Sequence, residues 1–292
     1  MKLKTSRKRT ALRGVIAALV AVVAAMLSLA IASSAMATPK GEYAVFSDCP
    51  VKAAEGCIYA KTESGKFTVG KETVPIEKPV ILQGGFNEPS EGVEQFVGAA
   101  DGNTLSKTPQ KVPGGLSGLV KCNEISNFIE RVACEVVFEN GVTGVTATVE
   151  LAGPASSIGF FAINYLLQSG TALSLPVKVH LENPFLGSSC YIGSNSSPIV
   201  IGLSTGKSGT LTGNPGTLEA KGEGGILAFS KNSLVNGTFA APGANGCGGI
   251  FSFLIDPIVN SKLGLPSASG KNAAVLNGSI EQTAASTVVE HE

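Results

Sequence analysis

The chain has 292 residues, with 22 basic and 22 acidic side chains, 36 glycines, 15 prolines and no tryptophan. Charged residues make up only 15% of the chain and apolar residues 43%, which excludes a disordered protein, because disordered chains combine low hydrophobicity with high net charge. The low aromatic share, 6%, disfavours a carbohydrate-binding module, since such modules usually stack sugars on exposed aromatic rings.

Residues 1–37 are predicted to be an export signal. They begin with the basic stretch MKLKTSRKRTALR, continue with an apolar run over residues 14–32, and end with SSAMA. This order is typical of a secretory signal peptide, and the small residues Ala35 and Ala37 predict cleavage before Thr38. The alternative is an uncleaved membrane anchor, because the apolar run approaches the roughly 20 residues that span a bilayer.

Cleavage would leave residues 38–292 as the mature, β-rich region. Six of the 22 basic residues and none of the 22 acidic residues lie in the removed part, so 16 basic residues remain against 22 acidic ones. This balance disfavours a nucleic-acid or anionic-membrane partner, because either needs a basic face. We therefore expect no nucleic-acid partner, and membrane contact only through the signal segment if it is uncleaved; the sequence assigns no other partner.

All six cysteines follow the predicted signal. An even count in an exported chain predicts three disulfides, although six cysteines can pair in many ways. The simplest prediction is nearest-neighbour pairing: Cys49 with Cys57, Cys122 with Cys134, and Cys190 with Cys247.

The middle pair is in tension with a predicted helix between its two cysteines. The apolar residues that follow helical spacing there are Ile125, Phe128, Ile129 and Val132. A helix over the whole interval would separate Cys122 and Cys134 by roughly 18 Å, which is beyond the reach of a disulfide. Either the helix is short and the chain doubles back, or this pairing is wrong.

Short runs of strand-forming residues, separated by turn residues, predict a β-meander at the start of the mature region. These runs are Cys57–Thr62, Lys66–Val69, Thr73–Ile76 and Pro79–Leu82. A polar loop containing Gly and Pro is expected to follow from Asn87 to Gly115, and it is the predicted position of any subdivision of the mature region.

The clearest hairpin signal is CEVVFENGVTGVTATVELAG. Asn140-Gly141 suits a type I′ turn, and every second residue from Val145 to Leu151 is apolar, which predicts a strand with one buried face. The stretch SSIGFFAINYLLQSG is predicted as a second helix ending at Gly170, with a strand as the alternative.

The remaining apolar runs are short and mostly separated by Gly, Asn or Pro. They are LPVKVHLENP, SPIVIGLST, GTLTG, GGILAFS, NGTFAAPG, GGIFSFLI and AAVLNGSIEQTA. Their spacing predicts a mainly β fold, an antiparallel β-sandwich or barrel of many short strands with two or three short helices, stapled by disulfides. One of these helices is DPIVNSKLG, with Asp256 as N-cap, Pro257 at the first position and Gly264 beyond the end.

The stretch PIVIGLSTGKSGTLTG contains two partial motifs. GLSTG matches G-x-S-x-G, but a nucleophilic Ser204 needs a helix directly after its strand, and the residues that follow are rich in Gly and Pro. Asp256 and His291 are poor partners, because the first is explained as an N-cap and the second lies at the expected frayed terminus. A P-loop needs a glycine where Ile201 stands. We therefore interpret the stretch as a strand that runs into a turn.

No metal or cofactor site is predicted. His180, in VKVHLEN, is expected to have a structural role on one face of a strand, because a zinc site needs several converging ligands. A pair of carboxylates is the hardest catalytic site to exclude, since two acids in a cleft can come from anywhere in the sequence. We assign no catalytic residue, cofactor-binding residue or metal ligand.

Three stretches resemble a group of exported proteins of high-GC Gram-positive bacteria that have no known activity. They are GCIYAKTESGKFTVGKETVPIEKPVILQGG, VKVHLENPFLGSSCYIGS and APGANGCGG. The resemblance extends over most of the mature region and implies no activity. It implies that Cys190 and Cys247 occur together, in agreement with their pairing.

These observations favour a secreted or envelope-associated, non-catalytic β protein with a structural or binding role. Two alternatives stay open. The first is a secreted hydrolase that uses carboxylates, which two acids about 5–10 Å apart across a cleft would favour. The second is a β-barrel that binds a small apolar ligand, which the high share of Gly, Ala, Val and Ile suggests and an empty apolar interior would favour.

Overall fold

The computed structural model describes residues 38–90, 92–115, 126–134 and 144–292. Three predictions concern residues outside these ranges. The export signal and the turn at Asn140-Gly141 lie wholly outside them. The predicted bridge from Cys122 to Cys134 lies partly outside them, because Cys122 is not described. In the described part, antiparallel strands dominate and the helices are few and short, as predicted. Residues 39–292 form one compact unit.

The strands and helices have the following bounds. The first eight strands are β1 (Gly56–Val69), β2 (Glu72–Pro75), β3 (Val80–Ser90), β4 (Val93–Gly98), β5 (Gln110–Lys111), β6 (Thr146–Leu151), β7 (Gly159–Phe160) and β8 (Leu173–Glu182). The next eight are β9 (Tyr191–Ile192), β10 (Ile199–Leu203), β11 (Lys207–Ser208), β12 (Leu211–Thr212), β13 (Thr217–Lys221), β14 (Ile226–Asn236), β15 (Ala244–Asn245) and β16 (Ala273–Ala284). The α-helices are α1 (Phe128–Cys134), α2 (Ala162–Leu167), α3 (Ser252–Leu263) and α4 (Ala285–Glu290).

Apart from the β11–β12 hairpin, the strands belong to one antiparallel sheet. Its order is β13-β14-β16-β1-β3-β4-β7-β8-β6-β5. In addition, β2 pairs with β1, β9 and β10 pair with β8, and β15 pairs with β9.

The sheet curls until β10 approaches β14. Ser204, directly after β10, and Val235 of β14 exchange two backbone hydrogen bonds of 2.9 and 2.8 Å. This bridge is isolated, and no continuous ladder closes the ring in the described part of the chain. The barrel alternative is therefore not formed. The curl brings β1, β2 and β16 (the first wall) opposite β6, β8 and β10 (the second wall), in a sandwich-like arrangement.

The strands on both sides of Gly278 in β16 are irregular at the same level. Opposite it, β1 carries a bulge between Thr62 and Ser64, and β14 has an irregularity between Phe229 and Asn232. Bulges bend a strand and increase its twist, so three adjacent strands bend together at one level. A side chain on Gly278 has no room, because a Cβ atom there would lie 1.8 Å from the carbonyl oxygen of Lys61.

The bulge in β1 explains why this strand is longer than predicted. The Glu-Ser-Gly stretch was expected to separate two strands, but β1 continues through it as a bulged ladder paired with β16. Gly65 has a φ of +133° there, a backbone angle that favours glycine. Strand β16 has the bounds of the predicted run AAVLNGSIEQTA.

Strand β4 lies inside the segment that was predicted to be a loop from Asn87 to Gly115. Its Phe96 is 2% exposed and pairs in register with Phe86 of β3. The polar composition of the segment favours a loop, but the burial of the Phe96 ring against the sheet is a tertiary contact that stabilises a strand there. The loop prediction is wrong at these residues.

Helix α3 replaces both the strand predicted at GGIFSFLI and the shorter helix predicted to begin at Asp256. Ile255, Val259 and Leu263 face the core at helical spacing, and this period overrides the strand propensity of the Phe and Ile residues. Pro257 lies inside the helix and removes one backbone hydrogen bond. Gly264 ends the helix in the left-handed conformation, as predicted.

The other helices confirm the sequence prediction only in part. Helix α1 is short, as one of the two alternatives for the Cys122–Cys134 interval required. Helix α2 covers six residues and ends at Gln168 rather than at Gly170, and the Gly and Phe residues before it form β7.

The C-terminus is packed rather than frayed. Helix α4 places Val288 in a second, smaller core with Phe46 and Ile226. The His291 ring stacks on Tyr43, with the ring centres 3.9 Å apart. These contacts attach the last residues to the beginning of the described chain.

Two of the predicted disulfides are confirmed. Cys49–Cys57 and Cys190–Cys247 are bonded, with Cα atoms 5.6 and 4.1 Å apart. Asp256, predicted as an N-cap, instead accepts hydrogen bonds from the backbone N–H groups of Gly246 and Cys247 beside the second bridge. Disulfides are typical of proteins that fold in an oxidising compartment.

No helix of the described residues is long and apolar enough to cross a membrane.

Tyr165 of α2 fastens the second wall to β14. Its hydroxyl donates to the Pro215 carbonyl at 2.7 Å and accepts from the Asn232 amide at 3.2 Å. Its ring packs edge-on against Phe229, 5.0 Å between centres. Burial raises the pKa of Tyr165 to about 12, although the hydrogen bond from Asn232 acts in the opposite direction.

We predict that Gly278→Ala lowers the free energy of unfolding by about 3 kcal/mol or more, because the new methyl group clashes with backbone rather than with a movable side chain. Urea denaturation measures this loss. Gly144→Ala is the control: a Cβ atom there meets nothing within 4 Å, so its effect should stay within about 0.5 kcal/mol. Equal losses in the two variants would contradict the crowded site at Gly278.

We predict that the stabilisation from Tyr165 disappears at high pH. The folded pKa, about 12, lies above the ordinary value of 10.0, so the contribution is fully present below pH 10 and is lost as pH rises through about 12. Tyr165→Phe should cost about 1–3 kcal/mol at neutral pH, because it leaves buried partners unpaired.

The measurement is denaturant unfolding at neutral pH and through the alkaline range. Wild type should lose stability more steeply than Tyr165→Phe above pH 10, so that the two curves converge. Parallel curves would show that ionisation of Tyr165 is not coupled to folding.

Candidate functional site

A cavity of about 120 Å³ lies between the two walls of the curled sheet. The apolar side chains that the first wall contributes are Phe67, Val69, Val74, Ala274 and Leu276. Those of the second wall include Val149, Leu175, Val177, Val179, Ile201 and Leu203. Leu263, at the end of α3, also contacts the cavity.

The second wall shows how the sequence produces this lining. In β8, Leu173, Leu175, Val177, Val179 and Leu181 are buried, and the residues between them are not. Side chains of a strand alternate between its two faces, so a period of two directs one apolar row inward. One face of β8 therefore points into the interior, and the other face carries the side chains between these buried residues.

Gln110 is the most deeply buried polar residue of the lining, 6% exposed. Its amide oxygen accepts from the backbone N–H groups of Glu77 and Lys78, at 2.9 and 3.1 Å. Its amide nitrogen donates to the carbonyls of Lys78 and Thr108. Gln110 therefore fastens the segment after β2 to β5, and its hydrogen-bonding groups are already used.

Glu72 is the ionisable residue of the cavity lining. It is half-buried, at the start of β2, opposite Val69 in the β1–β2 ladder. Burial raises the pKa of its carboxyl, and a hydrogen bond from the backbone of Thr73 partly offsets this effect. The sequence analysis missed Glu72, although ETVPI alternates Glu72, Val74 and Ile76, which places all three on the same face of the strand.

The mainly apolar lining suits the cavity to apolar material. Its volume is close to the ~150 Å³ of dry apolar cavities that bind benzene or xenon, and below the ~300–1,000 Å³ of pockets for drug-sized molecules. Atoms that line an empty space lose their dispersion contacts on that side. A small apolar guest would restore those contacts without displacing a polar network.

A second group of polar side chains lies on the outer face of β6 and β8. The Nδ1 atom of His180 is 3.9 Å from a carboxylate oxygen of Glu150 and 3.9 Å from one of Glu182. The imidazole stacks on Tyr191, with the ring centres 4.4 Å apart, and the Lys178 ammonium lies 4.8 Å from the centre of the Tyr191 ring. The Nε2 atom of His180 is buried and has no hydrogen-bond partner among the described residues.

Glu150 and Glu182 are the acids of this cluster that come close to the arrangement of a carboxylate hydrolase. Each lies 3.9 Å from the same imidazole nitrogen, so they are within twice that distance of each other. Both are engaged locally: Glu150 lies 3.9 Å from the Lys178 ammonium, and Glu182 accepts from the hydroxyls of Thr146 and Thr148. His180 stands between the two acids, where a substrate bond would have to lie.

Ser204 has the environment of a structural residue. It is 4% exposed, and its hydroxyl oxygen accepts from the Gly206 N–H at 3.0 Å. The β11–β12 hairpin follows it, and not the helix that a nucleophile elbow requires. The interpretation as a strand that runs into a turn is confirmed. His291, the downstream histidine, stacks on Tyr43, and the Asp256 carboxylate accepts a hydrogen bond from the backbone N–H of Cys247.

Comparison of the chain with protein-family models, with curated proteins and with solved structures found no match. Among the described residues, no group of three or more His, Cys, Asp and Glu side chains is placed to hold a metal ion.

We predict that His180→Phe leaves the free energy of unfolding within about 0.5 kcal/mol of wild type, because it keeps the ring on Tyr191 and removes an unpartnered buried nitrogen. His180→Ala is the control, which should cost about 1 kcal/mol or more through the lost ring contact. Thermal unfolding measures both variants. Equal destabilisation by Phe and Ala would show that the imidazole nitrogens, rather than the ring, stabilise the outer cluster.

Proposed function

We propose that the protein is a secreted or envelope-associated β protein that binds a small apolar molecule in the cavity between its two walls and has no catalytic step of its own. The observation that carries this proposal is the cavity of about 120 Å³, whose lining is almost entirely apolar. A core that served only stability would be closely packed, because interiors reach the density of organic crystals with few voids.

Export is supported by two observations. Residues 1–37 have the order of regions typical of a signal peptide. The two disulfides are of a kind that persists outside the cytoplasm.

The size and the lining of the cavity define the ligand class. The guest is an apolar body about the size of a benzene ring, or one segment of a slender chain. Carboxylate-dependent hydrolysis is not our proposal, because Glu150 and Glu182 interact with neighbouring side chains and the His180 imidazole lies between them.

We predict that toluene raises the unfolding temperature of the wild-type protein and that a cavity-filling variant abolishes this effect. Ile201 lines the cavity and is 5% exposed, whereas the adjacent Val200 points away and is 52% exposed. Ile201→Phe should therefore remove toluene binding, and Val200→Phe should retain it. At a concentration of 100 times Kd, stabilisation by the ligand is about 2.7 kcal/mol.

Crystals of the wild-type protein under xenon pressure provide a test that needs no variant. Xenon should give an anomalous peak between Val177 and Phe67, since dry apolar cavities take up this gas. If Ile201→Phe fails to fold, the xenon experiment on the wild-type protein still shows whether the cavity takes up an apolar guest. Absence of both the xenon peak and a toluene effect would overturn the proposed function.

A further inference from the structure

Glu72 occupies a position that the strand pattern assigns to apolar side chains. Glu72, Val74 and Ile76 alternate along the chain and all line the cavity. Across the β1–β2 ladder, Glu72 faces Val69, which is 6% exposed. An acid is therefore placed at one end of a row whose other members are apolar, half-buried between solvent and the interior.

The Glu72 carboxylate has no cationic partner among the described residues, whose ion pairs involve other acids. The neighbouring Lys71 is engaged elsewhere: its ammonium donates to the carbonyl of Ser261, at 3.4 Å. The backbone N–H of Thr73 is the hydrogen-bond donor that acts on the Glu72 carboxyl. A partly buried carboxylate is unfavourable unless it is paired, so a cation placed beside it would gain energy.

We propose that the cavity binds a small amphiphilic amine, with the apolar body between the two walls and the protonated amino group on the Glu72 carboxylate. This inference rests on the proposed function, because it assigns a head group to the ligand of the same cavity. The apolar lining recognises the body and the single acid recognises the charge. An anionic head group would be repelled by Glu72, and a ligand without a head group would leave the acid unpaired.

The experiment compares three probes of one ring size with different head groups: benzylamine, toluene and benzoate. Binding to the full mature protein is measured at neutral pH by titration calorimetry, with chemical-shift changes of cavity methyl groups to locate the bound probe. We expect wild type to bind benzylamine at least tenfold more tightly than toluene, and benzoate more weakly than toluene.

Glu72→Gln removes the charge and keeps the shape of the side chain. It should lose the tenfold preference for benzylamine and retain toluene binding. Glu63→Gln is the matched control, since it makes the same change in net charge at an exposed acid that pairs with Lys61 at 2.9 Å, and it should keep the preference.

The outcomes separate the two proposals. If toluene binds in the cavity and benzylamine binds no more tightly, or if Glu72→Gln keeps the preference, the assignment of the head group is overturned and the apolar cavity function stands. If no probe binds and xenon gives no peak, both are overturned. If Glu72→Gln fails to fold, the preference of the wild-type protein among the three probes decides the inference without the variant.

Discussion

Backbone packs directly against backbone at Gly278, and this contact constrains the three central strands β14, β16 and β1. At Gly278 the Lys61 carbonyl occupies the space of a Cβ atom, and the neighbouring strands are irregular at the same level. The bend allows β10 to reach β14 and places two apolar faces opposite each other, and the cavity is the space that remains between them.

The connections at the edges of the fold hold this curl in place. Tyr165 joins α2 to β14 through its hydroxyl and its ring, the Ser204–Val235 bridge joins β10 to the same strand, and Cys190–Cys247 ties β9 to the loop before α3. Each connection links segments that are distant along the chain. Such cross-links reduce the freedom of the unfolded chain or satisfy buried polar groups, so the interior need not be completely filled for the fold to persist.

The two faces of β8 carry different kinds of side chains. The inward row is apolar and surrounds the cavity, while Lys178, His180 and Glu182 on the outer row pair with acids, hydroxyls and the Tyr191 ring. The outer cluster contains a histidine, a lysine and two glutamates, residue types that often act in catalysis. Here these side chains contact one another and the neighbouring hydroxyls. Glu72 is the acid that lines the cavity, and its lack of an ion-pair partner among the described residues underlies its role in the proposed ligand recognition.

Local sequence patterns correctly predicted the mainly β class, the antiparallel alternation, the pairing of two disulfides and the structural character of Ser204. These follow from the period-two pattern, the spacing of cysteines and the turn chemistry, which act over a few residues. The tertiary structure decided what local patterns leave open. Glu63-Ser64-Gly65 was predicted as a turn, but pairing with β16 keeps it within a bulged strand. GGIFSFLI was predicted as a strand, but from Ser252 the chain forms a helix that packs on the core. The cavity and the position of Glu72 depend on pairing between strands such as β1 and β16, whose paired residues are more than two hundred positions apart. The physical reason is that this long-range pairing fixes the curvature of the sheet and therefore what its two faces enclose.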